Sequence, residues 1–237
     1  MILIMFSIDM LKNCDFSCLT AYDCEKKIIN NLEGFCGKWE HGATKLVLIP
    51  EDTEYVIKIP FCGTMVKNWF WYDDVEKDPP RVLMRFREAG GYIKEWDYCA
   101  AEVYKYGRLK ELDLEKFFVE IIPLQTKLNY PIYLQQKISY FACDSNPFIE
   151  PVDLEECNII KEVYNKYTAN NNPTIDFHPA WFAQIYRQYG LGELEKLLMA
   201  LNELDIADLR AANLGYTCYK NPVIVDYGGY SDGFTLE

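Results

Sequence analysis

Apolar residues before residue 60 cluster in short β-branched runs, whereas from Trp96 onward they recur every three to four positions. Lys45–Ile49 (KLVLI) and Glu54–Pro60 (EYVIKIP), separated by Pro50–Thr53, predict an antiparallel hairpin. Gly34, Gly37 and Gly42 punctuate a turn-prone region upstream of it. Ile132–Leu134 and Lys137–Ser139 read as short extended pieces, and Val223–Val225 as a buried strand. Four helices are expected. Trp96–Tyr106 places Cys99, Val103 and Tyr106 at helical spacing and stops at Gly107. Asp153–Tyr167 carries Leu154, Cys157, Ile160, Val163, Tyr164 and Tyr167. Pro179–Tyr189 opens with proline in its first turn and ends at Gly190. Leu191–Leu204 carries Leu191, Leu194, Leu197, Leu198, Leu201 and Leu204, a full apolar face. Strands early and helices late give an α+β plan in two lobes.

Composition agrees with this plan and narrows the function classes. With 237 residues, half of them hydrophobic and with 18 Tyr, 13 Phe and 5 Trp, the chain has ample material for a core. A net charge of −12 argues against nonspecific nucleic-acid binding, which needs cations to neutralise phosphates. No apolar run approaches the ~18–20 residues that span a bilayer. The apolar start, Met1–Phe6, has no basic flank and is closed by Asp9, so a secretory signal is not expected. Nine cysteines, an odd number, then fit free thiols in a reduced, cytoplasmic protein. The spacing of Cys14, Cys18, Cys24 and Cys36 lacks the paired short knuckles of a zinc site, and buried thiols are expected there.

Polar residues set into the apolar segments carry the candidate chemistry. Lys58 sits mid-strand, on the face opposite Ile57 and Ile59. An ammonium there is costly without an anionic partner, unless the strand lies at a sheet edge and the side chain reaches water. In a nucleotide site the partner is a phosphate pair plus a helix glutamate, and Glu102 is the candidate. Near the end of the chain, Asp208-Leu209-Arg210-Ala211-Ala212-Asn213 is followed thirteen positions after the Asn by Asp226-Tyr227-Gly228, which closes the run Pro222–Val225. In phosphoryl transfer an Asp orients the attacking hydroxyl and an Asn ligates Mg2+. A carboxylate at Asp226 can hold a metal ion that bridges phosphates, a hard oxygen on a hard cation. Ordinary turn chemistry is the alternative for each half, since Asp and Asn also cap helices and close strands.

Together these residues resemble the protein-kinase-like superfamily. The strand with Lys58, the DLRAAN loop with Asp208 and Asn213, and the DYG triplet at Asp226 carry the resemblance. It spans roughly residues 34–230 and is similar to small bacterial or phage kinase-like proteins. It implies a β-rich N-lobe over residues 1–138 and a truncated, mostly helical C-lobe over 139–237. It also implies ATP and Mg2+ as cofactors. Lys58 would grip the nucleotide phosphates and pair with Glu102, and Asp208 would be the catalytic base. Asn213 and Asp226 would be the metal ligands. The backbone near Gln136 and Ile138, within Tyr133–Ile138, would meet the adenine, and Gly42, Ala43 and Thr44 would lie over the phosphates.

The departures from the family pattern shape the expected function. Ile206 and Ala207 precede Asp208 where typical protein kinases carry His and Arg, which leaves no receiver for an activation-loop phosphate. Gly37 and Gly42 stand where a G-x-G-x-x-G loop would be, a weaker phosphate cradle. Forty-three residues separate Lys58 from Glu102, and the excess falls within residues 63–94. That insertion holds Trp69–Tyr72 beside Asp73, Asp74, Glu76 and Asp78. It is either a protein-partner element or an aromatic patch packed on its own lobe. Nine residues follow Gly228, so the usual peptide-binding helices are not expected. His41 and His178 receive surface or packing roles, His178 as a helix cap, and Cys218 has no neighbouring base. The leading expectation is an ATP- and Mg2+-dependent phosphotransferase acting on a small molecule or an atypical protein. The alternatives are a nucleotide-binding or interaction module without turnover, nucleotidyl transfer by the same residues, and an α+β domain with an accidental match.

Overall fold

The computed structural model describes residues 11, 37–41, 45–60, 63–65, 86–88, 97–126, 131–141, 147–168, 175–206 and 208–228. The chain divides into two compact units, one made of residues 1–98, 123–134 and 235–237, the other of residues 99–122 and 135–234. Among the described residues the class is α+β, as the hydrophobic pattern predicts.

The first unit is built on a sheet of five strands in the order β1-β2-β3-β7-β6. These are β1 (Gly37–His41), β2 (Lys45–Pro50), β3 (Tyr55–Pro60), β6 (Ile121–Gln125) and β7 (Pro131–Gln136). β2 and β3 form the expected antiparallel hairpin, with Val47 opposite Lys58. β1 pairs with β2 in the same sense. Leu46, Leu48, Ile57, Ile59 and Ile132 are fully buried in this sheet. Two further strands, β4 (Gly63–Met65) and β5 (Phe86–Glu88), pair antiparallel inside the 63–94 insertion. The rest of that insertion lies outside the described residues, as do Cys14, Cys18, Cys24 and Cys36.

The second unit holds the helices. They are α1 (Tyr98–Glu111, entering from the first unit at Tyr98), α2 (Leu154–Thr168), α3 (Pro179–Tyr189) and α4 (Leu191–Glu203). α2, α3 and α4 pack on one another. Their shared core includes Ile160, Trp181, Phe182, Leu194, Leu197, Leu198 and Leu201. Asp153 Oδ1 accepts from the Glu156 amide at 2.8 Å and caps α2. Arg187 on α3 clamps Glu156 on α2 through Nε (2.7 Å) and Nη2 (2.6 Å), a bidentate pair.

One boundary departs from expectation. α1 passes through Gly107 and ends four residues later at Glu111. A lone glycine lowers helix propensity without forbidding the conformation, and Leu109 in the added turn is fully buried. The buried stripe of α1 is also rotated from the expected one. It runs through Cys99, Ala101, Glu102, Lys105 and Leu109, while Val103 and Tyr106 are only half-buried.

A small sheet completes the second unit, in the order β10-β9-β8, with β8 (Ser139–Tyr140), β9 (Leu214–Tyr216) and β10 (Pro222–Ile224). It is antiparallel throughout. Gly215 is fixed in β9 by close approach, since a Cβ there would collide with the Ile138 side chain and lie 2.6 Å from the Ser139 carbonyl oxygen.

Candidate functional site

The loop that follows α4 starts with two tight turns. Leu204 and Ile206 amides return to the Ala200 and Leu201 carbonyls at 2.9 and 2.8 Å. Asp205 and Asp208 both take left-handed backbone, with φ of 49° and 67°. Aspartate tolerates that region better than most side chains. Ile206, between them, and Leu209, directly after Asp208, plug the chain into the core, and both are buried. Leu209 forms a parallel bridge with Ile175, and the Asp176 amide donates to its carbonyl at 3.1 Å.

Asp208 is thereby held half-buried between two polar neighbours. Its carbonyl accepts from the Arg210 amide at 2.9 Å and from Asn213 Nδ2 at 2.7 Å. Asn213 Nδ2 also lies 3.4 Å from Asp208 Oδ2. Arg210 pairs with the carboxylate through Nη2 (2.8 Å to Oδ2) and through Nε to Oδ1. The Asn213 amide nitrogen is thus committed to Asp208, which leaves Oδ1 as the acceptor atom of that side chain.

Asp226 is brought to the same loop by the backbone. The Val225 amide donates to the Asn213 carbonyl at 3.0 Å, so the two loops are fastened one residue before Asp226. Val223 and Val225 pack with Val119, and half-buried Ile138 lies against that cluster. The Val119 amide donates to the Ile224 carbonyl at 2.9 Å. Tyr227 is fully buried beside Asp226. Its hydroxyl donates to the Val119 carbonyl at 2.9 Å, and its ring meets Phe118 edge-on at 5.1 Å. Burial pushes the Tyr227 phenol well above its usual pKa, and the Glu102 charge adds to the effect.

The second unit therefore brings Asp208, Asn213 and Asp226 together, and it also carries Glu102, Gln136 and Ile138. Glu102 is fully buried on α1. Gln136 is exposed at the end of β7, and Ile138 follows on the way to β8. Lys58 belongs to the first unit. Its strand is the middle one of the sheet, and Lys58 is 4 % exposed, so it is not an edge lysine that reaches water. Gly42, Ala43 and Thr44 lie outside the described residues. Among the described residues no three His, Cys, Asp or Glu side chains are grouped so as to hold a metal ion by themselves. The described helices include none long and apolar enough to cross a membrane.

Two polar residues of this region are absent from the sequence-based set. Arg210 lies two residues after Asp208, and the left-handed backbone at Asp208 is what turns the two side chains together. Lys105 stands one turn beyond Glu102, and its Nζ donates to the Asp205 carbonyl (2.8 Å) and the Gly228 carbonyl (2.9 Å). Burial lowers its pKa to about 8, against the pull of Asp205 and Glu102. His178 precedes α3 without capping it by its side chain. Its ring lies edge-on to Phe141 at 5.4 Å, and burial lowers its pKa.

No protein-family model, no curated protein and no solved structure matches this chain.

Proposed function

We propose that this chain is an ATP- and Mg2+-dependent phosphotransferase of two-lobe, kinase-like fold, acting on a small-molecule or atypical protein hydroxyl. The observation that carries the reading is the fastening of the Asp208–Asn213 loop to the Asp226 strand through Val225 and Asn213, at 3.0 Å. That bond joins two sequence-distant polar loops whose residue types suit one nucleotide–metal site.

The donor set suits Mg2+. An amide oxygen from Asn213 and a carboxylate from Asp226 are hard ligands, and Mg2+ commonly takes one or two carboxylates and leaves the rest to phosphates and water. When bound, the ion would neutralise charge on the β- and γ-phosphates. Asp208 would orient the acceptor hydroxyl and take its proton as the acceptor oxygen bonds to the γ-phosphorus. The bond from that phosphorus to the bridging oxygen breaks, and ADP leaves. Arg210 holds the Asp208 carboxylate in one orientation. Lys58, buried in the middle strand of the first unit, would supply positive charge to the phosphates.

Thermal unfolding with and without ATP–Mg2+, on wild type and on Asp226→Ala, tests this. A ligand at ~100 times its dissociation constant stabilises the native state by about 2.7 kcal/mol. The expected result is a metal-dependent rise in Tm for wild type that Asp226→Ala abolishes. No rise at millimolar ATP would sink the proposal. A rise without phosphate or AMP transfer to any acceptor would leave a nucleotide-binding module in its place.

A further inference from the structure

Three segments of the second unit meet at one ammonium group. Lys105 and Glu102 lie a turn apart on the buried stripe of α1, and both are almost wholly withdrawn from solvent. The two carbonyls that Lys105 reaches belong to Asp205, three residues before Asp208, and to Gly228, two residues after Asp226. An ammonium has three donors and no acceptor, and burying it without partners is costly. The other residues of the stripe apart from Glu102 are apolar, and an apolar side chain at 105 would be desolvated far more cheaply. The Glu102 carboxylate one turn back favours a cation at 105, and the two loop carbonyls take its hydrogen bonds.

We propose that Lys105 is a positioning residue that fastens the lead-in of the Asp208 loop and the far side of the Asp226 loop to the helix carrying Glu102. The inference rests on the phosphotransferase reading for what the loops do, and on hydrogen-bond geometry for the fastening. From the strand side the Asp226 loop is held through Val225 and Tyr227, and Lys105 holds it from the other side of Asp226. The metal-binding loop and the loop of the base then move as one body with α1. Loss of the ammonium would leave the buried Gly228 carbonyl and the part-buried Asp205 carbonyl without their donor and let the two loops separate.

Lys105→Met keeps an unbranched side chain one atom shorter and removes the donors. Two readouts are compared with wild type on the full chain. In hydrogen exchange, segments 205–213 and 225–228 should exchange about tenfold faster or more, the equilibrium value of hydrogen bonds to a charged group, while α2, α3 and α4 stay protected. In ATP titrations, the gain in affinity from Mg2+ over EDTA should fall by a similar factor, with the metal-free affinity unchanged. Loosening spread evenly over α2–α4, equal loss of both affinities, or no change in exchange would each overturn the proposal. If wild type binds ATP under neither condition, the phosphotransferase reading falls, and the exchange result still decides the role of Lys105. Should Lys105→Met fail to fold, Lys105→Leu, which also lacks a donor, is judged by the same outcomes.

Discussion

Asp208 sits at φ 67°, a conformation that clashes with the Cβ of most residues and that Asp and Asn accept best. This makes Asp208→Asn the informative substitution. It keeps the backbone preference and removes the charge that a proton acceptor needs. Its paired arginine is more than half exposed, so the loss of that pair costs under about 1 kcal/mol. Turnover, by contrast, should fall by about 10²–10⁴. Chemical denaturation and an ATP-dependent transfer assay on the same preparation separate the two effects, and a turnover equal to wild type would remove Asp208 as the base. Asp208, Asn213 and Asp226 could be singled out from the sequence because their spacing carries the information. Lys105 could not. A lysine on a helix is ordinarily a solvated residue, and its partners here are backbone carbonyls 100 and 123 positions away. Carbonyls are chemically alike at every residue, so no sequence pattern marks which two will need a donor.

At the scale of elements, glycine means different things in α1 and β9. Gly107 lies in the interior of a helix, exposed, and apart from its own neighbouring helix backbone nothing stands within 4 Å of where a Cβ would be. Gly107→Ala should therefore stabilise the protein by about 0.8–1 kcal/mol through helix propensity alone. Gly215→Ala should do the opposite. Its Cβ would press on the Ser139 carbonyl and displace Ile138, at a cost of about 1–3 kcal/mol. Because Ile138 packs on Val119, Val223 and Val225, the strain would reach the strand that carries Asp226. Denaturant midpoints at constant slope check both values, and a destabilised Gly107→Ala would mean that the helix needs its glycine. The helix periods, the Pro179 start and the β2–β3 hairpin are legible because local chain geometry generates them. The end of α1 is not. Leu109 continues that helix by finding a buried place, and burial is a tertiary gain that outweighs one glycine.

For the whole molecule, pH sums the buried groups. Burial raises the pKa of Tyr216 to about 12 and that of Tyr227 well above 10. Above pH 10 the unfolded chain releases phenolic protons that the folded chain keeps, so this stability is full below pH 10 and is lost as pH climbs towards 12 and beyond. Lys105 acts in the other direction. Between about pH 8 and 10.5 the unfolded chain keeps a proton that folded Lys105 gives up, so its contribution rises with pH. His178, lowered by burial, loses stability as pH falls through 6.5, where the unfolded imidazole charges first. Urea melts from pH 5 to 11.5 should fall off at both ends, and Tyr216→Phe should make the alkaline limb shallower. An alkaline limb unchanged in that variant would mean that the phenol is not buried as described.

By itself the sequence determined the α+β class, the middle-strand hairpin, three of the four helices nearly to the residue, and the spacing of Asp208, Asn213 and Asp226. Each of these depends on local periodicity, turn chemistry or a fixed count of residues. Tertiary structure alone decided the buried face of α1, the bond from Val225 to Asn213 and the reach of Lys105 to two distant carbonyls. The reason is physical. A buried polar group must find partners wherever the packed chain places them, and that choice is made by the whole fold and not by neighbours in sequence.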